Sequence, residues 1–270
     1  MASIKNLAWK TFYALAPLRY PRFRITLYDF LRKTRNLRGD ESPFTLYRDW
    51  RKGQIERLGL DFFKEYPEYG DFSDKYYGKI DRIGLALSFL DYALEVEGDV
   101  VEFGVHYGHT AVALNRRLQA QGSDKNLWLF DSFEGMPEIS NPLDSAWERG
   151  DLAAPVEVVE RVFKDDERVK IVPGFFSDSL PKHPDLKLAF CHVDADLYES
   201  IKECIEYIMP RLSPGGIIVF DDYGFRSCPG AKVAIHEAFD AMNQPVTPLP
   251  TGQAVYINLR GALNVDRGES

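Results

Sequence analysis

The sequence predicts an α/β fold around a doubly wound, mostly parallel sheet, and three observations carry that expectation. Short β-rich apolar runs recur, among them Leu188-Ala-Phe-Cys-His-Val193 and Gly215-Gly-Ile-Ile-Val-Phe220, as buried parallel strands require. Segments with helical apolar spacing separate most of these runs. Two runs end in clustered carboxylates, Asp194-Ala195-Asp196 and Asp221-Asp222, and strand ends of this kind face the ligand crevice of an open α/β sheet.

Taken in order, residues 1–79 read as a helical N-terminal extension broken by Pro17, Pro21, Gly39, Pro43 and Gly53, and residues 80–270 as the main domain. Over 80–95, Ile83, Leu87, Leu90 and Leu94 recur at helical spacing, and Gly98 ends the helix. Strands are expected near 99–104, 127–131, 169–173, 188–194 and 217–221, with helices near 109–120, 155–164, 199–212 and 230–242. The tail, 246–259, reads as two short strands joined by a turn. The sum is a Rossmann-like sheet finished by an antiparallel hairpin. Between them, 132–155 is rich in Pro, Gly, Ser and charge, and a loop of that length in a compact domain marks a lid or binding loop.

Composition narrows the function. The chain has 270 residues, 45% hydrophobic and 27% charged, as an ordinary globular protein does. A net charge of −8 argues against a nucleic-acid partner. Residues 1–38 carry nine Lys/Arg against Asp29, a balance of +8 that leaves −16 for the rest. Interleaved with aromatics such as Trp9, Phe12 and Tyr20, this arm reads as a cationic segment docking on an acidic body or on a sister subunit in a homo-oligomer. Its alternative is contact with an anionic membrane surface. Lys10 interrupts the apolar stretch, so no signal peptide is expected. Three scattered cysteines (Cys191, Cys204, Cys228) lack metal or redox spacing, and a cytoplasmic location is the default.

The chemistry concentrates at strand ends. If the strands ending at Asp194 and Asp221 are neighbours, three or four carboxylates share one small volume. Such a cluster shares a proton or holds a cation, and all-oxygen donors suit a hard divalent ion such as Mg²⁺, Mn²⁺ or Ca²⁺. The first strand runs into Glu102-Phe-Gly104-Val105-His106-Tyr-Gly108. Gly104 permits a tight turn. His106 stands where a dinucleotide fingerprint needs its second glycine, so the turn suits S-adenosylmethionine (SAM), which has no phosphates, better than NAD. Asp131 ends the second strand, placed to accept ribose hydroxyls or else to serve as a helix cap or surface acid. After the third strand, Phe175 or Phe176 is placed to sandwich an adenine with Ser177 or Asp178 beside it, although these rings serve equally well as core.

Four segments together resemble the macrocin O-methyltransferase family: Val-Glu-Phe-Gly-Val, Phe-Asp-Ser-Phe-Glu-Gly-Met-Pro, His-Val-Asp-Ala-Asp-Leu-Tyr-Glu-Ser, and Leu-Ser-Pro-Gly-Gly-Ile-Ile-Val-Phe-Asp-Asp-Tyr-Gly. The resemblance covers about residues 80–260. It implies a class I SAM-dependent methyltransferase fold, SAM as methyl donor, a divalent metal (normally Mg²⁺), and an acceptor hydroxyl on a sugar, glycoside or other polyol. Position by position, Asp194, Asp221 and Asp222 match the metal carboxylates, and Asp194 also matches the general base. Glu102, Gly104, Asp131 and Ser132 match cofactor positions; Val105, His106, Phe176, Ser177 and Asp194 complete the expected cofactor-binding set. The run His106-Tyr107-Gly108-His109 departs from the family's aromatic, arginine and paired glycines. Residues 1–79 are expected to help shape the acceptor pocket.

Two assignments remain open. Asp196 either stands behind the metal ligands or N-caps the next helix with Glu199 at its third position. His106, His109, His192 and His236 are further candidate bases, with His192 favoured because it shares a strand face with Asp194. Three rival functions are a metal-dependent glycosyltransferase using Asp194-Ala195-Asp196, a catechol-type O-methyltransferase, and a catalytically inert adaptor.

Overall fold

A computed structural model describes residues 77–260, with side chains from Asp81 onward. The basic arm and almost all of the expected N-terminal extension lie outside the described residues, and with them the homo-oligomer and membrane-contact expectations. Among the described residues, no helix is long and apolar enough to cross a membrane.

The chain order is α1 (Tyr77–Ala93), β1 (Asp99–Phe103), α2 (His109–Ala120), β2 (Leu127–Asp131), α3 (Val156–Phe163), β3 (Val169–Pro173), the single turn α4 (Phe176–Ser179), β4 (Leu188–Val193), α5 (Tyr198–Ile208), β5 (Leu212–Phe220), α6 (Pro229–Ala241), β6 (Thr247–Pro248) and β7 (Ala254–Ile257). The strands form one sheet in the order β3-β2-β1-β4-β5-β7-β6. β1 to β5 are parallel, and β7 runs antiparallel to β5 and β6. The expected doubly wound sheet and terminal hairpin are therefore both present.

Strand alternation divides the core into two layers. Val100, Phe190, Ile217 and Val219 face α1, α2 and α3. Val101, Phe103, Cys191, Val193, Ile218 and Phe220 face α5 and α6. In α1 the spacing Ile83, Leu87, Leu90 places one wholly buried stripe on the sheet, each such side chain contributing about 1.5–3 kcal/mol. All three cysteines are buried and unpaired.

The structure departs from expectation at three boundaries, one of them the end of α5, which closes at Ile208 rather than near Leu212. α1 closes at Ala93 rather than near Glu95, and Gly98 (φ 112°) instead forms the bend just before β1, where a side chain would strike the Lys187 backbone. β5 begins five residues early, at Leu212. Between the Leu188–Leu212 and Phe190–Ile217 pairs the register shifts, and Gly215 (φ 84°) absorbs the extra residues as a bulge. Pro214, Gly215 and Gly216 disfavour strands, so local propensity gives no sign of this extension.

The order reverses between β1 and β4, both of which hydrogen-bond through their ends: the Asp194 amide donates to the Phe103 carbonyl at 2.8 Å. Gly104 (φ 84°) turns the chain there, and a β-carbon on it would overlap the Asp194 carbonyl oxygen. Gly104→Ala is expected to cost about 2–4 kcal/mol, from left-handed strain plus overlap. Gly122→Ala, also at positive φ (64°) but facing open space, is expected to cost about 1 kcal/mol. Urea denaturation of both variants checks this; equal losses would contradict the close-approach explanation.

Candidate active site

A cleft of about 720 Å³ opens over the carboxyl ends of the central strands, with Gly104, Asp131, Trp147, Phe176, Asp194 and Asp222 among its walls. Its volume is that of a small-molecule site.

The acids converge as the neighbouring of β4 and β5 requires. Val193 pairs with Phe220, so the residues that follow each strand lie side by side, and one carboxylate oxygen from each of Asp194, Asp221 and Asp222 falls within 4.8 Å of the others. Consecutive residues at the β5 tip face opposite layers. Asp221 faces the α1 layer, where its Oδ2 is ion-paired with Arg82 and its Oδ1 accepts 2.7 Å from Gln253 Nε2. His192 Nε2 lies 3.5 Å from the same Oδ1, and His192 Nδ1 lies 3.3 Å from Glu102 Oε1. Asp222 faces the α6 layer, where its Oδ2 accepts from the Asp196 amide at 2.9 Å.

Adjacent acids thus acquire opposite character. Burial penalises the Asp221 charge, but His192, Arg82 and Gln253 outweigh it and hold the carboxyl below its usual range. Burial raises Asp222 well above that range, and Asp196, Asp194 and Asp221 push it further. Burial and the Asp194 charge likewise raise Asp196 to about 7. Burial opposes protonation of His192, yet Asp221 and Glu102 more than compensate and raise it to about 10. His192 therefore stands between two carboxylates that favour its protonated form, which weighs against a general-base role. It is buried and off the cleft wall. His236 is engaged with the Tyr223 hydroxyl at 2.9 Å.

Of the expected cofactor residues, Gly104, His106, Asp131, Ser132, Phe176, Ser177 and Asp194 all line the cleft. Val105 is buried and contributes its backbone: Asp131 Oδ2 accepts from the Val105 and His106 amides at 2.6 and 2.8 Å, while Oδ1 accepts from Phe133 N at 2.6 Å. A carboxylate offers about four acceptor directions, so one remains. Glu102 does not reach the cleft; it is 1% exposed and faces His192. Phe176 has its ring edge on Phe103, centroids 6.0 Å apart, so it serves core and cleft together.

Asp196 does not cap α5. The N-cap is Leu197, and Asp196 (φ 54°) turns its side chain toward Cys228, whose thiol donates to Oδ1 at 3.1 Å. The helix amide at Tyr198 instead donates to Asp144 Oδ2 at 2.9 Å. Asp144 comes from the 132–155 loop and is 2% exposed, and Gly230 leaves the room for it: a β-carbon there would overlap Asp144 Oδ1. Trp147 Nε1 donates to the Ser227 carbonyl at 3.1 Å. The loop is therefore pinned to α5 and to the start of α6, and it walls the cleft with Met136, Pro137, Leu152 and Trp147. Sequence reasoning missed Asp144 because a cap supplied 54 residues away leaves no local pattern.

The sequence profile of the macrocin O-methyltransferase (TylF) family matches residues 91–257. The chain is 38% identical over 169 residues (56% of it, 64% of the relative) to an 8-demethyl-8-(2,3-dimethoxy-α-L-rhamnosyl)-tetracenomycin-C 4′-O-methyltransferase of Streptomyces olivaceus. It is 34% identical over 159 residues (54% and 61%) to the mycinamicin III 3″-O-methyltransferase of Micromonospora griseorubida. It is 35% identical over 167 residues (56% and 63%) to the demethyldecarbamoylnovobiocin O-methyltransferase of Streptomyces niveus. The chain thus spans a little under two thirds of the length of the curated relatives it matches. Among solved structures, the O-methyltransferase NovP superposes with a TM-score of 0.61 at 29% identity, covering 66% of this chain and 80% of that one. The calicheamicin methyltransferase CalS11 does so at 0.58 and 20%, covering 81% and 94%. The α/β sheet is that of the class I methyltransferases, as expected.

Asp144→Ala removes a cap that is worth about 0.5–2 kcal/mol and frees the loop. The expected outcome is that modest loss of stability with much faster proteolytic cleavage between 136 and 152; unchanged cleavage would show that the loop is held elsewhere.

Proposed function

Because the chain belongs to the macrocin O-methyltransferase family, we propose that it transfers a methyl group from SAM to a hydroxyl of a sugar or glycosylated natural product, with a divalent cation, normally Mg²⁺, as cofactor. The observation that carries this reading is the set of three carboxylates from two adjoining strand tips, within 4.8 Å of one another, two of which, Asp194 and Asp222, line a cleft walled also by the Gly104 turn and Asp131, with Asp221 just behind them.

The residues fit a hard cation. Asp194, Asp221 and Asp222 offer only oxygen donors, and burial together with the neighbouring Asp196, Asp194 and Asp221 charges raises the Asp222 carboxyl, a penalty that a bound cation would relieve. When bound there, a divalent ion would lower the pKa of an acceptor hydroxyl. Asp194, which faces the cleft, would accept that hydroxyl's proton. Asp131, with its remaining acceptor direction, would orient the ribose, and Phe176 would pack on the adenine. The pinned loop would shield the reacting groups from water. Alignment of the acceptor oxygen opposite the sulfonium is worth ~7–11 kcal/mol of barrier, so most of the work assigned to these side chains is positioning.

The relatives' names support an acceptor of glycosylated natural-product type: a rhamnosyl-tetracenomycin, mycinamicin III and demethyldecarbamoylnovobiocin. The family membership replaces the glycosyltransferase alternative, and it leaves the catechol-type reading without an observation in its favour.

Asp222→Asn is expected to bind SAM as the natural protein does, by titration calorimetry, while losing about 10²-fold or more of its methylation rate. EDTA should abolish methylation of a glycosylated acceptor and Mg²⁺ restore it. Full turnover in EDTA would remove the metal from the mechanism.

A further inference from the structure

Arg82 is the protein's own cation on the cleft side of the acid cluster, opposite His192. Asp221, 3% exposed, does not itself line the cleft. Arg82 of α1 does, and its guanidinium covers Asp221 from the cleft side through an ion pair to Oδ2. Oδ1 faces Gln253 and His192, so Oδ2 is the oxygen left for any other ligand. Arg82 is held for this task at two further points. Its guanidinium carbon stands 4.7 Å over the Phe225 ring centroid, in cation–π range. Its backbone carbonyl accepts from Gln253 Nε2 at 3.3 Å, the same amide that binds Asp221.

A divalent ion drawn to Oδ2 would meet the positive guanidinium already paired there, so the two compete for the same oxygen and repel each other. Resting on the metal reading given above, we propose that Arg82 is a tethered competitor of the divalent cation, neutralising Asp221 in the metal-free protein and releasing it when the ion is bound. The Phe225 stack keeps the released guanidinium beside the cleft, which both side chains line. The device has a physical reason. Breaking a buried pair by removing one partner leaves an uncompensated charge, and a tethered arginine spares the metal-free protein that state. The cost is weaker metal binding, because each ion must displace Arg82 and then sit near its charge.

The test is Mn²⁺ binding to the full chain, followed by loss of the free-ion EPR signal. Arg82→Met keeps the aliphatic stem and removes the charge; its Mn²⁺ dissociation constant is expected to fall about tenfold, the range of one well-placed charge pair. Its melting temperature should be lower than the natural protein's without metal and should rise more on adding Mg²⁺. Phe225→Leu, which retains both charges and loosens only the stack, should tighten Mn²⁺ binding by a smaller factor, and it decides the question if R82M does not fold. Equal or weaker Mn²⁺ binding by R82M, or by F225L in its place, overturns the competitor role while leaving the metal reading standing. Absence of Mn²⁺ binding in every protein overturns both.

Discussion

The mutual repulsion of carboxylates gathered at the tips of β4 and β5 is the constraint around which the rest of the site is organised. Four acids, Asp194, Asp196, Asp221 and Asp222, occupy one small region, and two of them are nearly inaccessible to water. Left alone they would protonate or push the strands apart. The fold answers on the α1 side with Arg82, His192 and Gln253, which keep Asp221 charged. On the α6 side the described residues supply an amide to Asp222 and a thiol to Asp196, and burial and like charge drive both acids toward the neutral form. The asymmetry defines a place where added positive charge is most favourable, between the two sides and open to the cleft at Asp194.

The sheet topology makes this arrangement possible. Strand order reverses between β1 and β4, which opens a crevice, and the absence of a side chain at Gly104 lets β1 end directly against the Asp194 backbone. Glu102 takes part from behind. Its position in the glycine-turn motif suggested a cofactor contact, but the pleat directs it into the α1 layer, where it meets His192 across the β1–β4 ladder. Its action on the site runs through His192 to Asp221, two ion-pair contacts away from the cleft.

Much of this was legible in the sequence, and the reasons differ by element. The five parallel strands and the hairpin announced themselves through apolar runs with polar boundaries, and the family segments coincide with strand ends. Asp194, Asp221 and Asp222 could be grouped because parallel strands end at one edge. What escaped notice depends on tertiary placement: Arg82, lying 139 residues from Asp221; Asp144, capping a helix from a distant loop; and Gly230, whose role is only to make room. The Asp196 capping expectation failed for a related reason. A local pattern of Asp with Glu three residues on suits a capping box, but the left-handed turn at Asp196 and the competing Asp144 carboxylate decide otherwise.

The most direct measurement of the central claim is anomalous diffraction from a crystal of this protein grown with Mn²⁺ and a SAM analogue. The account predicts one strong anomalous peak bounded by Asp194, Asp221 and Asp222, with the adenosine beside Asp131. A peak elsewhere on the chain, or a phosphate-bearing nucleotide seated in the Gly104 turn, would contradict it.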